Sequence, residues 1–260
     1  SPDEASRMIN AVNNNPLLIK QMCAMASTQQ LPHETLHYFS FLIDNLEEWR
    51  ESAIQLALQW PDIKPENKVF ISQSSNIHSP LETFNKLIDT KLMFCKGNKK
   101  NAFNPPILRQ VLAALTPPSR QRFVHKTLAQ QLQNKKYCQD SHDHIERLAH
   151  HWKGAGELNK AAELYRHCGK TKLQAHQYVK GTYCLGEAYA LSQSIDMSIE
   201  ARVDLLNDLA LCRIMAFGYG DKTAYKAASE ALQLAKQIQD ETTYFRSLYL
   251  IFLGIGSADS

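Results

Sequence analysis

The chain has 260 residues, 44% hydrophobic and 21% charged, with 10 Gly and 10 Pro, which excludes disordered, collagen-like and disulfide-scaffold classes and allows one large core or two small ones. So few turn-forming residues favour long helices over an all-β sandwich. The net charge of +3 hides a division: ten of the 29 Lys and Arg lie in residues 90–139, where no Asp or Glu occurs, leaving 19 against 26 acidic residues elsewhere.

Asn15-Pro16 has the grammar of a helix start, with Asn at the cap and Pro at the first helical position. Leu17, Leu18, Gln21, Met22 and Met25 follow at helical spacing to about Ser27. Leu31-Pro32 opens a second helix with a stripe of Leu36, Phe39, Ile43 and Leu46. A third reads Trp49, Ala53, Leu56, Ala57 and Trp60 before Pro61 stops it. A Pro- and Ser-rich stretch then brackets Val69-Phe70-Ile71, and Leu81, Phe84, Leu87 and Ile88 mark another helix. Leu92-Met93-Phe94 and Ala102-Phe103 are strand-like and flank the turn-rich Lys96-Gly97-Asn98-Lys99, predicting a short hairpin. Helices followed by a small β-wing suggest a winged helix, with residues 81–90 in the recognition position.

Beyond Pro106 helical periodicity dominates, broken at Thr116-Pro117-Pro118, at 153–156, at Gly169 and at 218–220, with Gly169 read as a helix C-cap. Small residues recur where helices would cross closely: Ala149, Ala161, Ala162, Ala175, Gly186, Ala188 and Ala190. Positions 224, 227, 228, 231, 235 and 238 keep one apolar face. The expected fold is all-α: a winged-helix-like domain with a small β-hairpin at 47–115, preceded by a helical segment at 1–46. It is followed at 116–260 by a tetratricopeptide-like right-handed helical superhelix.

Three short motifs invite chemistry. Gly169-Lys170-Thr171 matches the end of a phosphate-binding loop, but position 164 is Leu where the loop needs Gly, and a helix precedes it. His33-Glu34-Thr35-Leu36-His37 satisfies H-E-x-x-H, yet positions 40 and 43 are Ser and Ile rather than Gly and His. Cys138, His142, His144, His150 and His151 fit no standard zinc spacing, so capping and solvent-facing roles are expected, with packing for His150, His151 and Trp152. Neither a metal site nor a catalytic site is predicted. The six cysteines form no C-x-x-C pair and no charged-then-apolar leader opens the chain, which suggests reduced thiols in a cytoplasmic protein. The longest apolar stretch, 248–255, is far shorter than the roughly 20 residues of a membrane span. The basic segment carries most functional content. Lys91, Lys96, Lys99 and Lys100 decorate the predicted wing and, with Arg120 and Arg122, are candidates for phosphate or other anion contact. The proposed recognition helix, however, holds Glu82, Asp89 and only Lys86 as a cation.

Asn14-Asn15-Pro16-Leu17-Leu18 resembles the Gly-Asn-Pro-Leu motif in the lid helices of signal-transduction ATPases with numerous domains, the AAA-type class of bacterial regulators and cyclase-associated ATPases. Leu31-Pro32-His33-Glu34-Thr35-Leu36 looks like the linker that follows. Leu81-Glu82-Thr83-Phe84-Asn85-Lys86-Leu87-Ile88 with Leu92-Met93 is similar to the winged-helix segment of that class. Leu115-Thr116-Pro117-Pro118-Ser119-Arg120, with His125, Leu128, Ala129 and Leu132, resembles the helix joining wing to arm. Leu148-Ala149-His150-His151-Trp152, Ala155-Gly156 and Lys160-Ala161-Ala162 resemble the first repeat.

The resemblance implies that residues 1–46 belong to the lid of an ATPase domain upstream in the same parent chain. Asn15 and Pro16 would then lie near nucleotide. ATP or ADP would serve the parent, with no cofactor in this segment. The arm would sense a protein or small-molecule inducer. Two positions depart from the pattern: Asn14 replaces the motif's Gly, and Phe103-Asn104-Pro105 stands where Phe-Arg-His is expected, a proline lacking the N–H to donate. The function so implied is a non-catalytic regulatory and protein-interaction region that couples partner or inducer binding to a nucleotide switch. The alternative is a nucleic-acid-binding transcription regulator acting through the basic winged helix.

Overall fold

The computed structural model describes residues 49–58, 80–89, 93–96, 100–103, 108–134, 142–238 and 240–255. The two helices predicted before residue 48, the H-E-x-x-H run and Cys138 lie outside them. The described chain is all-α apart from one two-stranded hairpin. It divides into two compact units, Ser1–Leu128 and Ala129–Ser260, the division falling within the helix Pro118–Asn134.

In the first unit, α1 (Arg50–Leu58) buries Ala53, Leu56 and Ala57, the positions its spacing predicts. It packs on α2 (Pro80–Asp89) and α3 (Leu108–Leu115). Pro80 stands at the first helical position, where its missing N–H costs nothing. Helix α2 buries Leu87 but leaves Ile88 exposed, so the predicted stripe is narrower than read. Strands β1 (Met93–Lys96) and β2 (Lys100–Phe103) pair antiparallel, Met93 opposite Phe103 and Lys96 opposite Lys100, and β1 touches α2. The Arg109 Nε donates a 2.8 Å hydrogen bond to the Ala57 carbonyl, satisfying an orphan acceptor in the last turn of α1 and pinning α3 to it. The corner at Thr116-Pro117 is closed by Gln121, whose Nε2 donates to the carbonyls of Ala113 (2.7 Å) and Thr116 (2.8 Å). Pro118 then opens α4 (Pro118–Asn134), which buries Val124, His125 and Leu128.

The second unit is a stack of helices: α5 (His142–Gly154), α6 (Leu158–Gln174), α7 (Tyr178–Ser192), α8 (Ile199–Phe217), α9 (Lys222–Ala235) and α10 (Glu241–Ile255). Each packs on the next, and α8 also touches α6 and α10. Alanines 149, 161, 162, 188, 224, 228 and 231 are fully buried where helices cross. Ala175 and Ala190 are exposed.

One reading is corrected. Gly169 does not end a helix, because α6 runs through it to Gln174. A Cβ there would lie 2.5 Å from Leu185 Cγ and 3.2 Å from the Leu185 backbone nitrogen, so glycine is required by the close approach of α7. Helix α6 ends instead at a corner whose left-handed residue is His176 (φ 57°). The Gln177 N–H donates to the Lys172 carbonyl at 2.8 Å and the His176 N–H to Leu173 at 3.1 Å, the same pair of closing bonds that Gly156 (φ 84°) makes at the end of α5.

Candidate functional site

Of the residues singled out from sequence, Asn15, Pro16, Lys91, Lys99 and Pro105 lie outside the described residues. Lys96 and Lys100 face each other in register at the end of the hairpin. Arg120 stacks over Phe123, with its guanidinium carbon 5.1 Å from the ring centroid, and Arg122 is exposed on α4. His144 is buried, at 8% exposure, which overturns the expectation of a solvent-facing role, whereas His151, at 3%, is buried in keeping with the packing role expected of it. His151 meets His150 edge-on at 5.4 Å. In the first unit His125 is 7% exposed, and burial followed by the nearby Arg109 charge holds its pKa down to about 4, so the imidazole is neutral near pH 7.

The helical stack carries features that the sequence reading missed. The first is a polar tie across α6, α8 and α10. The Asp208 carboxylate, only 6% exposed, accepts from Arg246 Nη2 at 2.6 Å and lies 3.5 Å from Lys170 Nζ. Asp204 sits 4.0 Å from both cations. Ser247 Oγ donates to Asn207 Oδ1 at 3.0 Å, with both residues fully buried. Lys170, the lysine of the Gly-Lys-Thr run, is thus an ion-pair partner of Asp208.

The second is a pocket of about 240 Å³ between α7, α8 and α9, lined by Thr182, Gly186, Tyr189, Arg213, Lys226 and Glu230 among others. Tyr189 donates its hydroxyl to Glu230 at 2.6 Å, and burial together with that carboxylate pushes its pKa up to about 12. Arg213 forks onto Asp221 at 2.8 and 2.9 Å and stacks on Phe217.

The third is an apolar face. Phe245, Leu248, Tyr249 and Phe252 are 61%, 42%, 61% and 72% exposed and fall at i, i+3, i+4 and i+7 along α10. Leu250 on the opposite side is buried in the core. The signal was present: a helix with apolar residues all round has one face more than a two-sided stack can cover.

The fourth is a buried polar group between α5, α6 and α7. Lys172 is fully buried, its Nζ 2.8 Å from Glu146 Oε2. Cys168 and Cys184 are fully buried thiols, not joined in a disulfide, with sulfurs 3.5 Å apart. No described helix is long and apolar enough to cross a membrane. Comparison of the chain with protein-family models, with curated proteins and with solved structures gives no match.

Proposed function

We propose that this chain is a non-catalytic regulatory and protein-interaction region of a multidomain, cytoplasmic signal-transduction ATPase. The second unit would be a tetratricopeptide-like superhelical arm, and the first a winged-helix-like module next to an upstream lid. The observation that carries the reading is the aromatic stripe of α10, a row of four large apolar side chains, three of which, Phe245, Tyr249 and Phe252, carry rings suited to anchor a partner. It stands on a helical stack, a geometry that extends binding surface. ATP or ADP belongs to the parent. Partner or inducer binding on the arm would bias the nucleotide state.

The test uses the parent protein. Its reading frame within about 300 residues upstream of Ser1, one to two domains' length, is expected to hold G-x-x-x-x-G-K-[ST] after a strand. Its nucleotide turnover should change at least several-fold when Phe245, Tyr249 and Phe252 are replaced together by alanine. A frame without the loop, or turnover unmoved by the triple variant, refutes the coupling.

One observation favours the second reading, a nucleic-acid-binding regulator. Lys96 stands opposite Lys100 in the register, so the hairpin brings two cations to one end, a placement that an anion such as a phosphate would favour. The exposed positions of α2 include Glu82 and Asp89 as well as Lys86, a poor set for reading base edges. If duplex DNA binds, log affinity should fall steeply with log salt, and charge reversal at Lys96, Lys99 and Lys100 should flatten that slope. No binding at low salt ends this reading.

A further inference from the structure

We propose that Glu146, Cys168 and Cys184 form a binding site for a thiophilic divalent cation of the Zn2+ type, with Lys172 as its charge-balancing neighbour. One ligand atom from each of the three residues lies within 4.8 Å of the other two. They come from three successive helices of the stack, α5, α6 and α7. The two sulfurs are 3.5 Å apart. Tetrahedral zinc with Zn–S bonds of about 2.3 Å holds its sulfurs about 3.8 Å apart, so the pair needs to open by only about 0.3 Å. A disulfide would require them to close to about 2.0 Å and would leave the carboxylate without a part.

Charge selects the ion. Without a cation the group is neutral: a Glu146 carboxylate, a Lys172 ammonium and two thiols. Binding Zn2+ replaces the two thiol protons, which pass to solvent, so the dication and two thiolates cancel and the buried group stays neutral. A monovalent soft ion with both thiolates would leave one negative charge in the core, which is costly. If Lys172 were absent, the divalent site would carry the same excess. That accounts for a lysine at 0% exposure among the buried Tyr165, Leu185, alanines and cysteines of these helices. The carboxylate has about four lone-pair positions, enough for the Lys172 hydrogen bond and the cation together. Sulfur ligands favour zinc-like ions over magnesium or calcium. Glu146 is the member that reaches solvent, at 16% side-chain exposure, and a water on the cation there would complete four-coordination.

The probe is Cd2+, titrated without oxygen into the reduced full chain after chelator treatment. The expected result is one equivalent bound with a sulfur-to-cadmium charge-transfer band, displaced by Zn2+, with release of two protons per ion. Cys168→Ser and Cys184→Ser should each abolish the band. Cys212→Ser, at a thiol outside the group, should leave it unchanged, and Glu146→Gln should weaken binding at least tenfold. X-ray absorption on the zinc-loaded wild type should count two sulfur and one or two oxygen neighbours, a readout that does not depend on any variant folding. Failure of the wild type to bind an equivalent, a full band in either the Cys168 or the Cys184 variant, or a sulfur count other than two overturns the site.

Discussion

Two glycines inside helices of the stack should respond to the same substitution with opposite sign. Replacing a helix-interior glycine with alanine ordinarily stabilises by about 0.8–1.0 kcal/mol, because the backbone loses less freedom on folding. At Gly186 in α7 an added Cβ meets nothing within 4 Å, so Gly186→Ala should gain most of that amount. At Gly169 the added Cβ falls 2.5 Å from Leu185 Cγ, 2.7 Å from Cδ2 and 3.2 Å from the Leu185 backbone nitrogen. The Leu185 side chain could turn away only into a filled core, and the nitrogen moves only if α7 moves. Overpacking costs about 1–3 kcal/mol, and a 2.5 Å approach with a backbone atom also within 3.2 Å places this case at about 2–3, which outweighs the propensity gain and leaves Gly169→Ala destabilised by about 1–2 kcal/mol. The two variants should therefore differ by about 2–3 kcal/mol. Urea unfolding followed by circular dichroism resolves this as a midpoint difference of about 1 M or more, for slopes of about 1–3 kcal/mol per molar urea. Gly169→Ala as stable as the parent, or both variants shifted in the same direction, would show that close approach at Leu185 does not govern the α6–α7 crossing.

His125 and Asp221 should divide the acid response between two windows. His125 titrates at about 4 in the folded chain against 6.5 when unfolded, so over that interval the unfolded state holds more protons and stability falls as pH drops. The loss approaches about 3 kcal/mol, and His125→Gln should flatten the unfolding free energy measured across the window. Asp221 caps α9 by accepting from the Ala224 N–H at 2.6 Å, and its pKa is lowered from 3.8 chiefly by the Arg213 hydrogen bonds. Its contribution is present above that ordinary value and disappears as pH falls below it. Asp221→Ala should cost about 1–2 kcal/mol near pH 7 in chemical denaturation, and Asp221→Asn, which can still cap, less.

Apolar spacing located the helices and most of their buried faces. Ala53, Leu56 and Ala57 in α1, and alanines 224, 227, 228 and 231 in α9, fall on one side because 3.6-residue periodicity is a local property. Pro118 and Gly218 marked helix ends because the physics of ending a helix is local too. Positions decided by a distant partner were not legible. Gly169 reads as a terminator until Leu185 is seen beside it, and His176 holds a left-handed corner where a glycine would have announced it. The corner at 193–198 went unseen because its only cap signal is Ser198, whose Oγ accepts from the Ala201 N–H at 3.3 Å. The sites fared likewise. Cys168 and Cys184 are 16 residues apart and Glu146 precedes Cys168 by 22, with no short pairing such as C-x-x-C to announce them.

The tie between α8 and α10 sets how these two helices part. In a solenoid whose layers touch only their neighbours, the outermost helix frays independently and its amides exchange with little protection. Here Arg246 and Ser247, in the second turn of α10, hold Asp208 and Asn207 of α8, both nearly or fully buried. Peeling α10 away strands a carboxylate and an amide in the adjoining layer. Helices α8 and α10 should then exchange their amides as one cooperative block. The tie behaves as a latch, and a force applied to α10 is passed directly to α8.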